Sequence, residues 1–269
     1  MTLTNLHSVT LSPLSEQTGA EQIVILHGWK NNLEFWRPVG ELLSAHATVH
    51  LIDLPGFGKS ELPPTTWGVK DYAERVVEYL HLNKIASATL LGHSFGGRIS
   101  VVLAATHPEL VSNLILVNTH GLQPKRSLEQ RLKIAYIKLL RSIIKFIDKL
   151  FFTKIFKNWF APKYGSPDYK SAGELRNTFL KVINEDLASY AKKIKARTLL
   201  LWGEKDTETP LSIGEKYHEL IKNSELVVLK NKKHDMFMDV GGHLVVFHLL
   251  KFLGLGSKSA SKGAKISNE

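Results

Sequence analysis

Short runs of apolar and β-branched residues, several bounded by Gly, Pro or Asp, recur at Ile23–Leu26, Thr48–Ile52, Thr89–Leu91, Leu114–Val117, Thr198–Trp202 and Leu226–Leu229. Runs this short and this uniformly apolar predict strands buried on both faces, as parallel strands inside a sheet are. Between them the apolar positions change to steps of three and four, which predicts helices over Phe35–Ala45, Val69–Leu82, Gly96–His107, Leu211–Ile221 and Gly241–Leu253. Regular alternation of the two patterns predicts an α/β fold: a doubly wound, mostly parallel sheet with helices on its faces. The stretch Leu3–Leu11 would add an antiparallel edge strand.

The alternation stops between Val117 and Thr198, where only helical periodicity remains. Leu128, Leu132, Ala135, Tyr136, Leu139, Leu140, Ile143, Ile144, Ile147, Leu150 and Phe151 follow helical steps with Lys and Arg between them, predicting one long amphipathic helix or two. A helical insertion between parallel strands reads as a lid over the strand C-terminal ends, with its apolar face inward, because ligands bind at those ends. The predicted organisation is a core at 1–120, a helical lid at 121–196, the rest of the core at 197–253 and a flexible tail at 254–269.

Composition narrows the function classes. Apolar residues make up 43% and charged residues 22%, ordinary proportions that exclude a disordered chain. No stretch approaches the ~18 apolar residues of a membrane helix, and the N-terminus lacks a basic segment followed by an apolar run, so a cytoplasmic protein is expected. The absence of cysteine removes disulfides, thiolate metal sites and thiol nucleophiles together. The net charge of +10 is unevenly spread: residues 121–196 hold 17 Lys or Arg against 6 Asp or Glu, so the whole surplus lies in the insertion. That surplus suits either a solvated outer face or peripheral contact with an anionic membrane. No nucleic-acid reader motif accompanies it, so nucleic acid is not an expected partner.

The sharpest chemical signal is Gly92-His93-Ser94-Phe95-Gly96, directly after one predicted strand and directly before a predicted helix. A tight strand-to-helix turn needs small residues around its centre and exposes the central side chain at a helix N-terminus, where developing negative charge is favoured. Ser94 is therefore the candidate nucleophile. A serine hydroxyl needs a base, and the base needs a carboxylate to hold its tautomer. Asp206 follows the strand Thr198–Trp202 and is the candidate acid, with Glu204 and, more weakly, Asp235 as rivals. His234 follows the strand Leu226–Leu229 and is the candidate base. Lys232 and Lys233 beside it would lower its pKa if they lay close in space. The backbone N–H groups of Phe95 and Trp29 are the candidate oxyanion donors, and His27 is read as a brace for the loop after the first parallel strand. His243 and His248, on the last predicted helix, are read as structural. No HExxH, phosphate-binding loop or CxxC pattern occurs, so neither metal nor cofactor is expected.

With His27-Gly28-Trp29, Asp53-Leu54-Pro55-Gly56-Phe57-Gly58-Lys59-Ser60, Gly92-His93-Ser94-Phe95-Gly96-Gly97, Trp202-Gly203-Glu204-Lys205-Asp206 and His234, the chain resembles the α/β-hydrolase superfamily, specifically its lidded esterase, lipase and C–C hydrolase-like branch. The resemblance implies the triad Ser94, Asp206 and His234 in the family's order, with Asp53 and Ser60 as architectural residues of a turn. Serine at position 94 sets aside the branches that use aspartate there. One departure is Asn231-Lys232-Lys233, where the family usually has small residues before the histidine. The implied function is hydrolysis of carboxylic esters or thioesters of a small or lipophilic acyl substrate through an acyl-enzyme. The alternatives are a C–C bond hydrolase or acyltransferase with the same triad, and a non-catalytic ligand-binding or membrane-associated protein on the same fold.

Overall fold

The computed structural model describes residues 5–13, 21–122, 128–164, 169, 171–238 and 241–255. Its strands are β1 (Ser8–Leu11), β2 (Gln22–Leu26), β3 (Thr48–Ile52), β4 (Ala88–His93), β5 (Val111–Val117), β6 (Arg197–Gly203) and β7 (Ser224–Leu229). The helices are α1 (Arg37–Ser44), α2 (Val69–Leu82), α3 (Phe95–Thr106), α4 (Leu128–Phe151), α5 (Ala161–Tyr164), α6 (Arg176–Asn184), α7 (Ala188–Ala191), α8 (Leu211–Leu220) and α9 (Gly241–Leu253).

The strands form one sheet in the order β1-β3-β2-β4-β5-β6-β7. From β2 the chain steps outward to β3, then crosses back to place β4 on the other side of β2. Strand order therefore reverses between β2 and β4, where the crevice of a doubly wound sheet opens. All pairings are parallel except β1 with β3, whose register Ser8↔Ile52 to Leu11↔Val49 runs antiparallel. The predicted edge strand is thus present from Ser8 onward, while Leu3 and Thr4 lie outside the described residues.

Burial explains the strand pattern. Every residue of β4 is buried, and one face of the sheet (Ile23, Ile25, Leu91, Ile115, Leu199, Leu201) packs with Trp36, Val39, Leu43, Val245, Leu249 and Phe252 of the α1 and α9 layer. On the other face α3 lies against β2, β4 and β5. The strands run past their apolar cores: β4 continues through Gly92 and His93, which pair with Leu116 and Val117 although their composition suggests a turn. The helix predicted from Phe35 instead opens with a 3-10 turn at Leu33–Phe35, capped by the Asn32 side chain, and α1 starts at Arg37 with Pro38 in its first turn. Proline fits there because a first-turn N–H has no partner inside the helix.

The chain divides into two compact units, residues 1–122 with 185–269, and residues 123–184. Residues 185–196 belong to the α/β unit: Leu187 N–H donates to Gly121 O at 2.9 Å, the Glu185 carboxylate accepts the Val69 N–H, and Arg98 Nη1 donates to Glu185 O at 3.2 Å.

In the second unit α4 is a single helix of 24 residues. A π-helical turn, Phe156–Phe160, packs against it, with Lys145 Nζ 5.0 Å from the centre of the Phe156 ring. Along α4 the expected apolar stripe is largely exposed. Leu128, Leu132, Tyr136, Leu139, Ile143, Phe146, Leu150 and Phe151 are exposed, and Ile144 is the buried exception among the large apolar residues expected there, with Leu140 and Ile147 half-buried. Periodicity identifies which side of a helix is apolar but not what covers it. Of the predicted tail, all but Gly254 and Leu255 lies outside the described residues.

Candidate active site

Ser94 sits between β4 and α3 with φ 50 and ψ −105, a backbone conformation unfavourable for a residue with a Cβ. The surroundings hold it there. Its N–H donates to Val117 O at 3.1 Å, Arg98 N–H donates back to Ser94 O at 3.3 Å, and Gly96 N–H reaches His27 O at 3.0 Å. The flanking glycines are a steric requirement. A Cβ on Gly92 would lie 2.6 Å from Gly96 O, and one on Gly96 would overlap the Leu26 carbonyl. The strained turn leaves Ser94 half-buried at the first turn of α3.

Asp206 and His234 are in direct contact, with His234 Nδ1 2.8 Å from Asp206 Oδ2. Asp206 is 5% exposed and well supplied with donors: Oδ1 accepts the N–H groups of Glu208 at 2.8 Å and Thr209 at 2.9 Å, and Oδ2 accepts the Thr209 hydroxyl. Burial opposes its ionisation, but the hydrogen bonds from His234 and Thr209 outweigh that and hold its pKa below the usual carboxyl value. For His234 burial works against the cation, yet the hydrogen bond and charge of Asp206 raise its pKa above the ordinary 6.5. The depression expected from Lys232 and Lys233 is therefore not what governs this ring, because the carboxylate at 2.8 Å dominates. The rival acids do other work. Glu204 Oε2 accepts the Asn231 N–H at 2.9 Å, and the Asp235 carboxylate, half-exposed, lies 3.9 Å from His93 Nε2. Among the described residues Ser94 makes no side-chain hydrogen bond to His234; in unliganded sites this contact is often long and tightens when substrate binds.

The segments carrying the candidate oxyanion donors are adjacent. Trp29 lies in the turn after β2, Phe95 opens α3, and their rings meet edge to face at 5.2 Å, with Phe57 4.9 Å from Trp29. His27 braces that turn, as expected: Nδ1 donates to Gly28 O at 2.8 Å and Nε2 accepts the Leu54 N–H at 3.0 Å. Burial lowers its pKa to about 4, so it stays neutral and keeps Nε2 as an acceptor. Asp53 is architectural too, accepting the N–H groups of Leu33 at 2.7 Å and Lys59 at 2.9 Å, while the Ser60 hydroxyl donates to Asp53 O at 2.6 Å. His243 and His248 lie on α9, where the His248 ring meets Phe247 at 5.2 Å.

Three residues at the site escape a reading of the sequence. Asn118, buried directly after β5 with φ 42, links the loops that carry Asp206 and His234. Its Oδ1 accepts the Gly203 N–H at 2.9 Å, and its Nδ2 donates to Lys233 O at 3.0 Å and His234 O at 2.6 Å. Thr209 supplies two of the hydrogen bonds to Asp206. His93 is buried, lies 4.8 Å ring to ring from His234, and places Nε2 3.3 Å from the His234 carbonyl; burial and the His234 charge keep it neutral. The one available signal is a polar residue immediately after a buried run, which Asn118 satisfies.

With Ser94, Asp206 and His234 each following its own strand in this order, the chain matches the family model described as the alpha/beta hydrolase fold over residues 22–240. It belongs to the α/β-hydrolase family. The hydrolase is 28% identical over 252 residues to an uncharacterised hydrolase, YugF, of Bacillus subtilis, covering 88% of this chain and 92% of that one. Among solved structures it is similar to a bacterial membrane phospholipase A (TM-score 0.70, 25% identity, 94% of this chain and 86% of that one). It is also similar to the esterase EaEST of Exiguobacterium antarcticum (TM-score 0.70, 24% identity, 93% and 96%).

Proposed function

We propose that the hydrolase cleaves carboxylic esters or thioesters of a small or lipophilic acyl group through an acyl-enzyme on Ser94. The observation that carries this reading is the Asp206–His234 pair at 2.8 Å, on loops tied by Asn118 to the end of the strand beside the elbow. Similarity to a membrane phospholipase A is in line with an ester substrate.

In the first half-reaction Ser94 Oγ attacks the acyl carbonyl carbon while His234 Nε2 takes the hydroxyl proton. The resulting oxyanion is met by the N–H groups of Phe95 and Trp29, each such donor contributing about 2.7 to 4 kcal/mol of transition-state stabilisation. Collapse breaks the bond to the alcohol or thiol, which leaves with the proton held on His234. Water then loses a proton to the same nitrogen as it attacks the acyl-enzyme, and Ser94 departs reprotonated. Asp206 stays ionised throughout, fixing the tautomer of His234 and balancing its charge.

The test is the initial rate on p-nitrophenyl esters of graded chain length for the wild type and Ser94→Ala. Wild-type turnover that falls by several orders of magnitude in the variant is expected. Absence of wild-type turnover above the variant at every chain length would remove the ester reading and favour C–C cleavage, acyl transfer or ligand binding.

A further inference from the structure

We infer that the exposed side of α4, with the corner that follows it, docks the hydrolase onto an anionic lipid bilayer. Leu128, Leu132, Leu139, Ile143, Phe146 and Leu150 repeat at steps of three, four and seven, so they share one side of the helix, and all are exposed. Lys138, Ser142, Lys145 and Lys149 repeat at steps of four and three and form a neighbouring row, also exposed. An apolar stripe edged by lysines is the pattern of a helix lying in the plane of a membrane interface, its apolar side among the acyl chains and its ammonium groups at the lipid phosphates. No helix among the described residues is long and apolar enough to cross a membrane, so the geometry is one of lying on the surface.

The corner after α4 carries the second observation. Asp148 accepts the N–H groups of Ile155 and Phe156, both at 2.8 Å, and the Thr153 hydroxyl, which fixes the turn and uses the carboxylate internally. The turn presents Phe151 at 65% and Phe152 at 91% exposure. Phe152 also has φ 53, a conformation costly for a bulky side chain. A phenylalanine here gains neither burial nor backbone comfort within the chain, whereas glycine or asparagine would relieve the backbone. Its aromatic surface is useful to something outside.

Charge selects the occupant. α4 itself carries Arg131, Lys133, Lys138, Arg141, Lys145 and Lys149 against Glu129 and Asp148, a surplus that would be set against itself if a second copy covered this helix but is matched by anionic headgroups. The inference does not depend on which bond Ser94 attacks.

The experiment is co-sedimentation of the full chain with vesicles of ether-linked lipids, which lack an acyl ester, made of phosphatidylcholine alone or with phosphatidylglycerol. Binding is expected only with phosphatidylglycerol and is expected to fall as salt rises. Lys138→Ala and Lys149→Ala should each weaken it roughly fivefold, and Leu139→Glu with Phe146→Glu should abolish it. Phe152→Gly should weaken binding while the thermal midpoint stays level or rises, which a merely structural role would not allow. Rates on a soluble ester should be unchanged in all these variants. No binding, binding indifferent to lipid charge, or a solution dimer that Leu139→Glu dissociates would overturn the inference.

Discussion

Asn118 ties the loops of Asp206 and His234 together with one side chain, which makes its removal informative. In Asn118→Ala the Gly203 N–H and the Lys233 carbonyl lose this partner, and the His234 carbonyl keeps only His93 Nε2 at 3.3 Å. A buried polar group left unsatisfied costs about 1 to 3 kcal/mol, so urea unfolding should show a clear loss of stability. The kinetic effect is expected in turnover: displacement of His234 by about 1 Å can cost on the order of a hundredfold, with KM little changed. Asn118→Asp should not rescue activity, since it keeps the acceptor for Gly203 but sets a carboxylate against two carbonyls. Under the proposed mechanism Asp206 and His234 carry a pH signature. His234 must be neutral to accept the Ser94 proton, and its raised pKa moves the acid limb of kcat/KM to a midpoint above 6.5. Linkage gives the stability signs. The contribution of His234 is full below the ordinary imidazole value and is lost as pH rises through its raised folded value. That of Asp206 is full above the ordinary carboxyl value and is lost as pH falls through its lowered folded value. Asp206→Asn should flatten both limbs of stability measured by urea unfolding across pH; unchanged limbs would place the linkage elsewhere.

At the scale of elements, the elbow between β4 and α3 is where local strain and packing meet. Gly96→Ala would drive a methyl into the carbonyl of Leu26, at the buried end of β2, which cannot yield. A loss above about 4 kcal/mol is expected from such a clash. Gly173, with φ 53 and open space around it, serves as the control, since alanine there meets only the backbone penalty of about 1 to 2 kcal/mol. Comparable denaturation midpoints for the two variants would refute the steric account. The elements and the places of the candidate residues Ser94, Asp206 and His234 were legible because each is announced locally: an apolar run ends and a Ser, Asp or His follows within a few residues. Asn118 was not, because its partners are 85, 115 and 116 residues away and two of them are carbonyls, which every residue possesses. The insertion was half legible. Helical spacing marked α4 and its apolar side, but exposure depends on what packs there, and spacing contains no information about that.

Across the whole molecule, the two units differ in how their backbones are defended against solvent. In the α/β unit β4 is buried along its entire length between β2 and β5, so its amides can exchange only when the sheet itself opens. In the second unit, among the described side chains of α4, Ile144 is buried, Leu140 and Ile147 are half-buried and most of the other large apolar ones face water, so unwinding it exposes little new apolar surface. The free energy of local opening follows the surface newly exposed. Hydrogen exchange read by mass spectrometry should therefore find the amides of α4 exchanging well before those of β4 and β5, with a weaker dependence on added denaturant. Anionic vesicles should slow exchange in α4 and around Phe152 and leave β4 unchanged, because a membrane would cover a face that the chain leaves open. Equal protection in α4 and β4 without lipid would mean that the stripe is covered in solution, and the reading of α4 as an open surface would fail with it.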